Sequence, residues 1–179
     1  NMIAIEDDLT FFRTAAGLQD LLVFPIRYDF RKIQTINLPA ILAFHRPGQT
    51  LPTYLALVKV VDNPNSDMTV VLATDSAANI QVPMDHLLPD LTGEVYIVWK
   101  NFLAYSGTIP TSPSKTSVIT LKMLLRDMGF EQIEIDSQYD QKTQWVVETV
   151  QARHGLEVDG RVGSLTKIVL YNESQSFAI

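Results

Sequence analysis

The sequence predicts an α+β chain in two parts: a domain built on an antiparallel sheet, then three helices. Three observations predict this. Short apolar runs bounded by turn formers recur between Ala40 and Lys100, the pattern of strands. From Val118 onward the apolar residues switch to helical spacing. Between the two lies SGTIPTSPSKTS, residues 106–117, whose prolines, serines and threonines read as a surface connection. The expected domains are 1–108 and 118–179, joined by a linker over 109–117.

In the first part, Leu9, Phe12, Ala16 and Leu18 suggest an amphipathic helix ending at Gly17 or soon after. Leu21–Phe24 is an apolar run stopped by Pro25. Phe30 to Ile36 fits a short helix, broken by Asn37-Leu38-Pro39. Ala40–Phe44, Tyr54–Val61 and Met68–Ala73 are strand candidates. Asp62-Asn63-Pro64-Asn65-Ser66 is dense in turn formers, so the last two should pair as a hairpin. Ile80–Val82 is short, and Met84–Leu88 reads as a helical turn. Glu94–Lys100 is apolar on both faces, which predicts a central strand.

The second part is punctuated more sharply. Val118, Leu121, Leu124, Leu125 and Met128 mark a helix ended by Gly129. Asp140 is a good N-cap for the next, whose apolar face is Val146, Val147 and Val150. Gly155 ends that helix and Asp159-Gly160 makes a tight turn. A third helix starts near Ser164 with Leu165, Ile168, Val169 and Leu170.

Composition excludes several function classes. The chain has 179 residues, 46% apolar and 19% charged, with a net charge of −6, which argues against a nucleic-acid partner. It has no cysteine, and therefore no disulfide, thiolate zinc site or cysteine nucleophile. No apolar run approaches the roughly eighteen residues of a membrane span, and no signal peptide is visible. The chain reads as a piece of a longer protein. His45, His86 and His154 are scattered, so no metal site and no cofactor are expected. Trp145 could stack on a sugar, but packing in a core or domain interface is the favoured reading.

The series Tyr139-Asp140, Thr143, Val146-Val147, Gln151, His154-Gly155-Leu156, Val158-Asp159-Gly160, Val162-Gly163, Thr166 and Leu170 resembles the three-helix peptidoglycan-binding repeat of bacterial cell-wall proteins. Val146 stands where that family has Ala, and Val150 where it has Phe; both keep the buried face apolar. The resemblance implies a ligand groove at the turn. There, backbone N–H groups near a helix N-terminus would suit carboxylates and amide carbonyls. Gln151, Asp159, Gly160, Arg161, Gly163 and Thr166 are the candidate binding residues. Arg161 could pair with a stem-peptide carboxylate.

Leu38–Leu42, Tyr54–Leu57, Asp75, and Leu91-Thr92-Gly93 before Trp99 are similar to the double-glycine peptidases, a papain-like cysteine peptidase family. Thr53 falls at that family's catalytic His place and Asp75 at its Asp. The nucleophilic Cys has no counterpart, so thiolate chemistry is ruled out. With the nucleophile missing, Asp75 reads first as a turn residue. The resemblance implies a papain-like but degenerate peptidase domain.

Together the two resemble the periplasmic region of the general secretion pathway protein A family. The implied function is non-catalytic: binding peptidoglycan in the periplasm and helping place the type II secretion secretin in the cell wall. The implied partners are peptidoglycan, general secretion pathway protein B and further copies of the chain. Inner-membrane anchoring would come through a span outside this sequence. The alternative is a cell-wall hydrolase or peptidase with a peptidoglycan-binding targeting domain.

Overall fold

The computed structural model describes residues 7–27, 30–61, 68–76, 78–111 and 113–176. The chain divides into two compact units that meet in sequence at Trp99 and Lys100.

The first unit is a six-stranded sheet in the order β1-β6-β2-β3-β4-β5, every neighbour antiparallel. The strands are β1 (Leu22–Arg27), β2 (Ala40–Phe44), β3 (Thr53–Val61), β4 (Thr69–Leu72), β5 (Ile80–Pro83) and β6 (Leu91–Trp99). Two helices precede β2: α1 (Asp8–Gly17) and α2 (Phe30–Ile36). Asp7 caps α1, its carboxylate accepting from Thr10 N at 2.6 Å. The last strand in sequence, β6, lies between β1 and β2, as its two apolar faces require. β1 runs on through Pro25, beyond the expected stop. At a sheet edge the missing N–H costs no ladder bond, so proline is tolerated there. The expected hairpin turn at 62–66 lies outside the described residues, but its flanking strands pair antiparallel as expected.

One face of this sheet is held by aromatics. Phe12 of α1 meets Tyr54 edge-on, with centroids 4.9 Å apart, and Tyr96 at 5.0 Å. Val23, Ile41, Leu9 and Ala16 complete the cluster. Successive residues of a strand point to opposite faces. Val95, Ile97 and Trp99 therefore face the other way, and they too are buried.

The second unit carries α3 (Lys115–Asp127), α4 (Gln141–Arg153) and α5 (Ser164–Ser176). Ser114 caps α3, accepting from Ser117 N at 3.1 Å. Leu121, Leu125, Val146, Val147, Val150, Ile168, Val169 and Leu170 form its core, all fully buried. No helix among the described residues is long and apolar enough to cross a membrane.

The residues expected to be a linker are structured differently. Ile109 is fully buried. Its backbone pairs with Val162, accepting from Val162 N at 2.8 Å and donating to Val162 O at 3.4 Å. Upstream, Lys167 Nζ donates to Tyr105 O and Gly107 O, each at 2.6 Å. Residues 105–109 thus form a strap folded onto the helical unit. The proline and serine content of 106–117 marks the region as non-helical, but the strap's partners lie more than fifty residues away, outside the reach of local composition.

Candidate functional site

The six residues expected at the repeat converge on the connection between α4 and α5. Gln151 sits on the buried side of α4, in its last turn, only 2% exposed. Its amide is fully engaged. Oε1 accepts from Asp159 N at 3.1 Å and Gly160 N at 2.9 Å. Nε2 donates to Asp159 Oδ1 at 2.8 Å, Arg161 O at 2.9 Å and Thr166 Oγ1 at 3.2 Å. Asp159 Oδ1 also accepts from Arg161 N at 2.9 Å. Thr166 is buried, its hydroxyl donating to Arg161 O at 3.2 Å. Burial would raise the Asp159 pKa, but the Arg161 N–H, the Gln151 amide and the Arg161 charge outweigh it and hold it below the ordinary value.

This network changes the chemistry expected of the turn. A groove lined by backbone N–H groups needs those groups free. Asp159 N and Gly160 N are taken by Gln151, Arg161 N by Asp159, and Val162 N by Ile109 O. The amide of Gln151 likewise has no capacity left for a ligand. Gln151, Asp159 and Thr166 therefore build the turn. Among the six, Arg161 presents an exposed side chain with hydrogen-bonding capacity to spare.

The two glycines also differ. Gly160 has φ +64°, and a Cβ there would lie 2.6 Å from Gln144 Cγ and 2.9 Å from Glu148 Oε1. Its carbonyl accepts from the Tyr139 hydroxyl at 2.6 Å. Burial, with Glu148 and Asp159 nearby, pushes the Tyr139 pKa up, so this hydroxyl stays a donor. Gly163 has no positive φ and open space where a Cβ would stand.

The start of α4 is tied down by Asp140. Its Oδ1 accepts from Thr143 N at 2.7 Å and Thr143 Oγ1 at 2.8 Å. The other oxygen meets Lys122 Nζ at 3.1 Å, and that ammonium also reaches Asp136 at 2.7 Å. The Thr143 N–H, then its hydroxyl and Lys122, hold the Asp140 pKa down at about 2. The Lys122 side chain is 0% exposed. Burial would lower its pKa; the two carboxylates outweigh that and raise it. Lys122 and Lys167 were not anticipated. The available signal was a lysine in an apolar helical stripe, Lys122 among Val118, Leu121 and Leu125, and Lys167 beside Ile168.

At the end of α4, His154 Nε2 meets Glu173 Oε1 of α5, which Arg153 also approaches at 3.4 Å. Burial would raise the Glu173 pKa, but His154 and Arg153 hold it down.

Residues 114–170 match the family model described as "Putative peptidoglycan binding domain". The match begins at the Ser114 cap and ends in the α5 core, so the matched segment spans α3, α4 and the first half of α5. No curated protein matches the chain. Among solved structures, a periplasmic domain of the EpsAB fusion protein of the Vibrio vulnificus type II secretion system shares the fold. Its TM-score is 0.55 at 18% identity, over 86% of this chain and 65% of that one. The chain thus spans about two thirds of that structure, 65% of its length. The peptidase domain of Streptococcus ComA, a bi-functional ABC transporter involved in a quorum sensing pathway, matches over 52% of this chain and 66% of its own, with TM-score 0.41 and 14% identity. The N-terminal peptidase C39 like domain of a toxin secretion ATP-binding protein from Vibrio parahaemolyticus matches over 49% and 66%, with TM-score 0.38 and 25% identity.

In the first unit, Thr53 opens β3 and Asp75 lies on the loop after β4. The antiparallel ladder, extended by Ala73 N donating to Ala56 O at 2.9 Å, brings both to the same end of the sheet. No hydrogen bond or ion pair joins them among the described residues. Thr53 borders a cavity of about 180 Å³ with His45, Arg46, His86 and Asp90. The chain has no cysteine, so that end of the sheet holds no thiol nucleophile.

Proposed function

We propose that this chain is a non-catalytic, peptidoglycan-binding periplasmic region of a type II secretion assembly factor. The observation that carries the reading is the match of residues 114–170 to a peptidoglycan-binding domain, laid over a helical unit whose turn is fully built. The helical unit holds the chain on the wall. Arg161 faces the ligand, where a guanidinium suits stem-peptide carboxylates; Gln151, Asp159, Gly160, Gly163 and Thr166 form the frame that presents it. The sheet unit, which retains Thr53 and Asp75 at former catalytic places, serves as a contact surface for general secretion pathway protein B or further copies of the chain. Its assembly role is placement of the secretin. Single-site affinity for such a shallow, polar surface is weak, and several copies on one wall give firm attachment. Support for the secretion context is the shared fold with the Vibrio vulnificus periplasmic domain. Support for the non-catalytic role is the missing thiolate.

The test is co-sedimentation of the whole chain with insoluble peptidoglycan, paired with turbidity of the same wall suspension. The expected result is protein in the pellet and constant turbidity. Protein left in the supernatant overturns wall binding, and sustained clearing overturns the non-catalytic role.

A further inference from the structure

Trp145 stands at the centre of the solvent-facing side of α4. The buried side of that helix is Thr143, Val146, Val147, Val150 and Gln151. At 3.6 residues per turn, Trp145 points away from all of them. It is 58% exposed, which leaves an indole face in water and contributes little to the fold.

Its surroundings are polar. Gln141 and Lys142 lie one turn before it, and Glu148 and Thr149 one turn after. Gln144 Nε2 donates to Glu148 Oε1 at 2.8 Å, fixing an amide and a carboxylate beside the ring. That pair lies against the turn: a Cβ on Gly160 would displace both side chains. Arg161 follows immediately. Ring, amide–carboxylate pair and glycine turn thus follow one another, with the exposed Arg161 the next residue along the turn.

We infer that Trp145 is a sugar-stacking platform for the glycan strand, a reading that rests on the peptidoglycan-binding function proposed above. A pyranose ring has an apolar C–H face and a rim of hydroxyl and N-acetyl groups. The indole covers the face, and the Gln144–Glu148 pair meets the rim with a donor and an acceptor. A protein partner calls for a contiguous apolar patch; here the ring is isolated among polar side chains. Lys142 and Arg161 balance Glu148 and Asp159 in charge, so the surface selects for the polar rim of a sugar rather than for a strongly charged partner. The packing requirement at Gly160 gains a second meaning: it keeps the amide–carboxylate pair in place beside the ring.

The experiment uses the whole chain as wild type, Trp145→Ala and Trp145→Phe. Each is sedimented with intact peptidoglycan and with glycan strands stripped of stem peptides. Trp99, the other tryptophan, is buried at 4% exposure, so Trp145 dominates the accessible fluorescence. Adding a chitotetraose should shift that emission to the blue and shield it from acrylamide. Trp145→Ala should weaken sedimentation on both polymers by about three- to tenfold, with Trp145→Phe retaining most of it. Wild type that pellets alongside an equally retained, helical Trp145→Ala overturns this inference alone. So does wild type that pellets with intact wall but ignores stripped strands and chitotetraose. Wild type that never pellets overturns the parent reading and this one with it.

Discussion

Single residues divide here by what their neighbours leave them free to do. Gly160 and Gly163 look alike in the sequence, both in the motif and both read as turn formers. Backbone conformation and the room for a Cβ separate them. Gly160→Ala meets a positive φ and the Gln144 side chain, and should cost about 1 kcal/mol or more. Gly163→Ala should change stability by less than about 0.5 kcal/mol. Urea unfolding of the two variants checks this; equal losses would show that the turn is not held as described. Asp140 gives a second, pH-dependent case. Its folded pKa of about 2 lies below the ordinary 3.8, so the unfolded chain binds this proton more readily. The stability it supplies is complete above about pH 4 and drains away as pH falls towards 2. Asn also caps helices well, so Asp140→Asn should keep α4 and flatten the fall in thermal midpoint across that window. An unchanged acid profile in the variant would remove Asp140 as a contributor. The N-cap was legible because capping is local; the buried Lys122 that completes it comes from another helix, and no local rule assigns it.

Elements show the same boundary between near and far. The ends of α3, α4 and α1 follow from caps and glycines a few residues away, and the sequence reading places them within a few positions. The strap before α3 was hidden because its partners are distant. Lys167 is 2% exposed, and burial lowers its pKa with no carboxylate to compensate. The two carbonyls of Tyr105 and Gly107 are its hydrogen-bond acceptors, and the Tyr105 ring lies 5.1 Å from Nζ. Removing the strap leaves a buried ammonium unpaired and Val162 N without its acceptor. Such groups cost about 1–3 kcal/mol each. A fragment of residues 100–179 should therefore fold markedly more stably than one of 118–179. Comparing their thermal midpoints checks this, and equal midpoints would make the strap a passive linker after all. The expected boundary at 118 also discards Ser114, the α3 cap, for which about 1 kcal/mol more is at stake.

At the scale of the whole molecule, strands were legible and their order was not. Alternating or continuous apolar runs identify β2, β3, β4 and β6, yet nothing local says that β6 inserts between β1 and β2. Its two-faced apolar pattern gives only that it has neighbours on both sides. The candidate site was half legible for a related reason. The motif located the turn, but a motif cannot tell frame from surface: Gln151 and Thr166 hold the turn, while Trp145 on the open face belongs to no turn-forming rule. The proposed wall binding rests on residues of one unit. The family match, Arg161 and Trp145 all lie beyond residue 99. The sheet unit has its own aromatic cluster of Phe12 from α1 with Tyr54 and Tyr96, built from residues before 100. Residues 100–179 alone should then pellet with insoluble peptidoglycan to the same extent per molecule as the whole chain, and residues 1–99 alone should stay in solution. The comparison must be made at matched, monomeric concentration, because linking copies raises apparent affinity without any new contact. Pelleting by residues 1–99 would move the binding surface to the sheet, and would leave the helical unit to explain some other task.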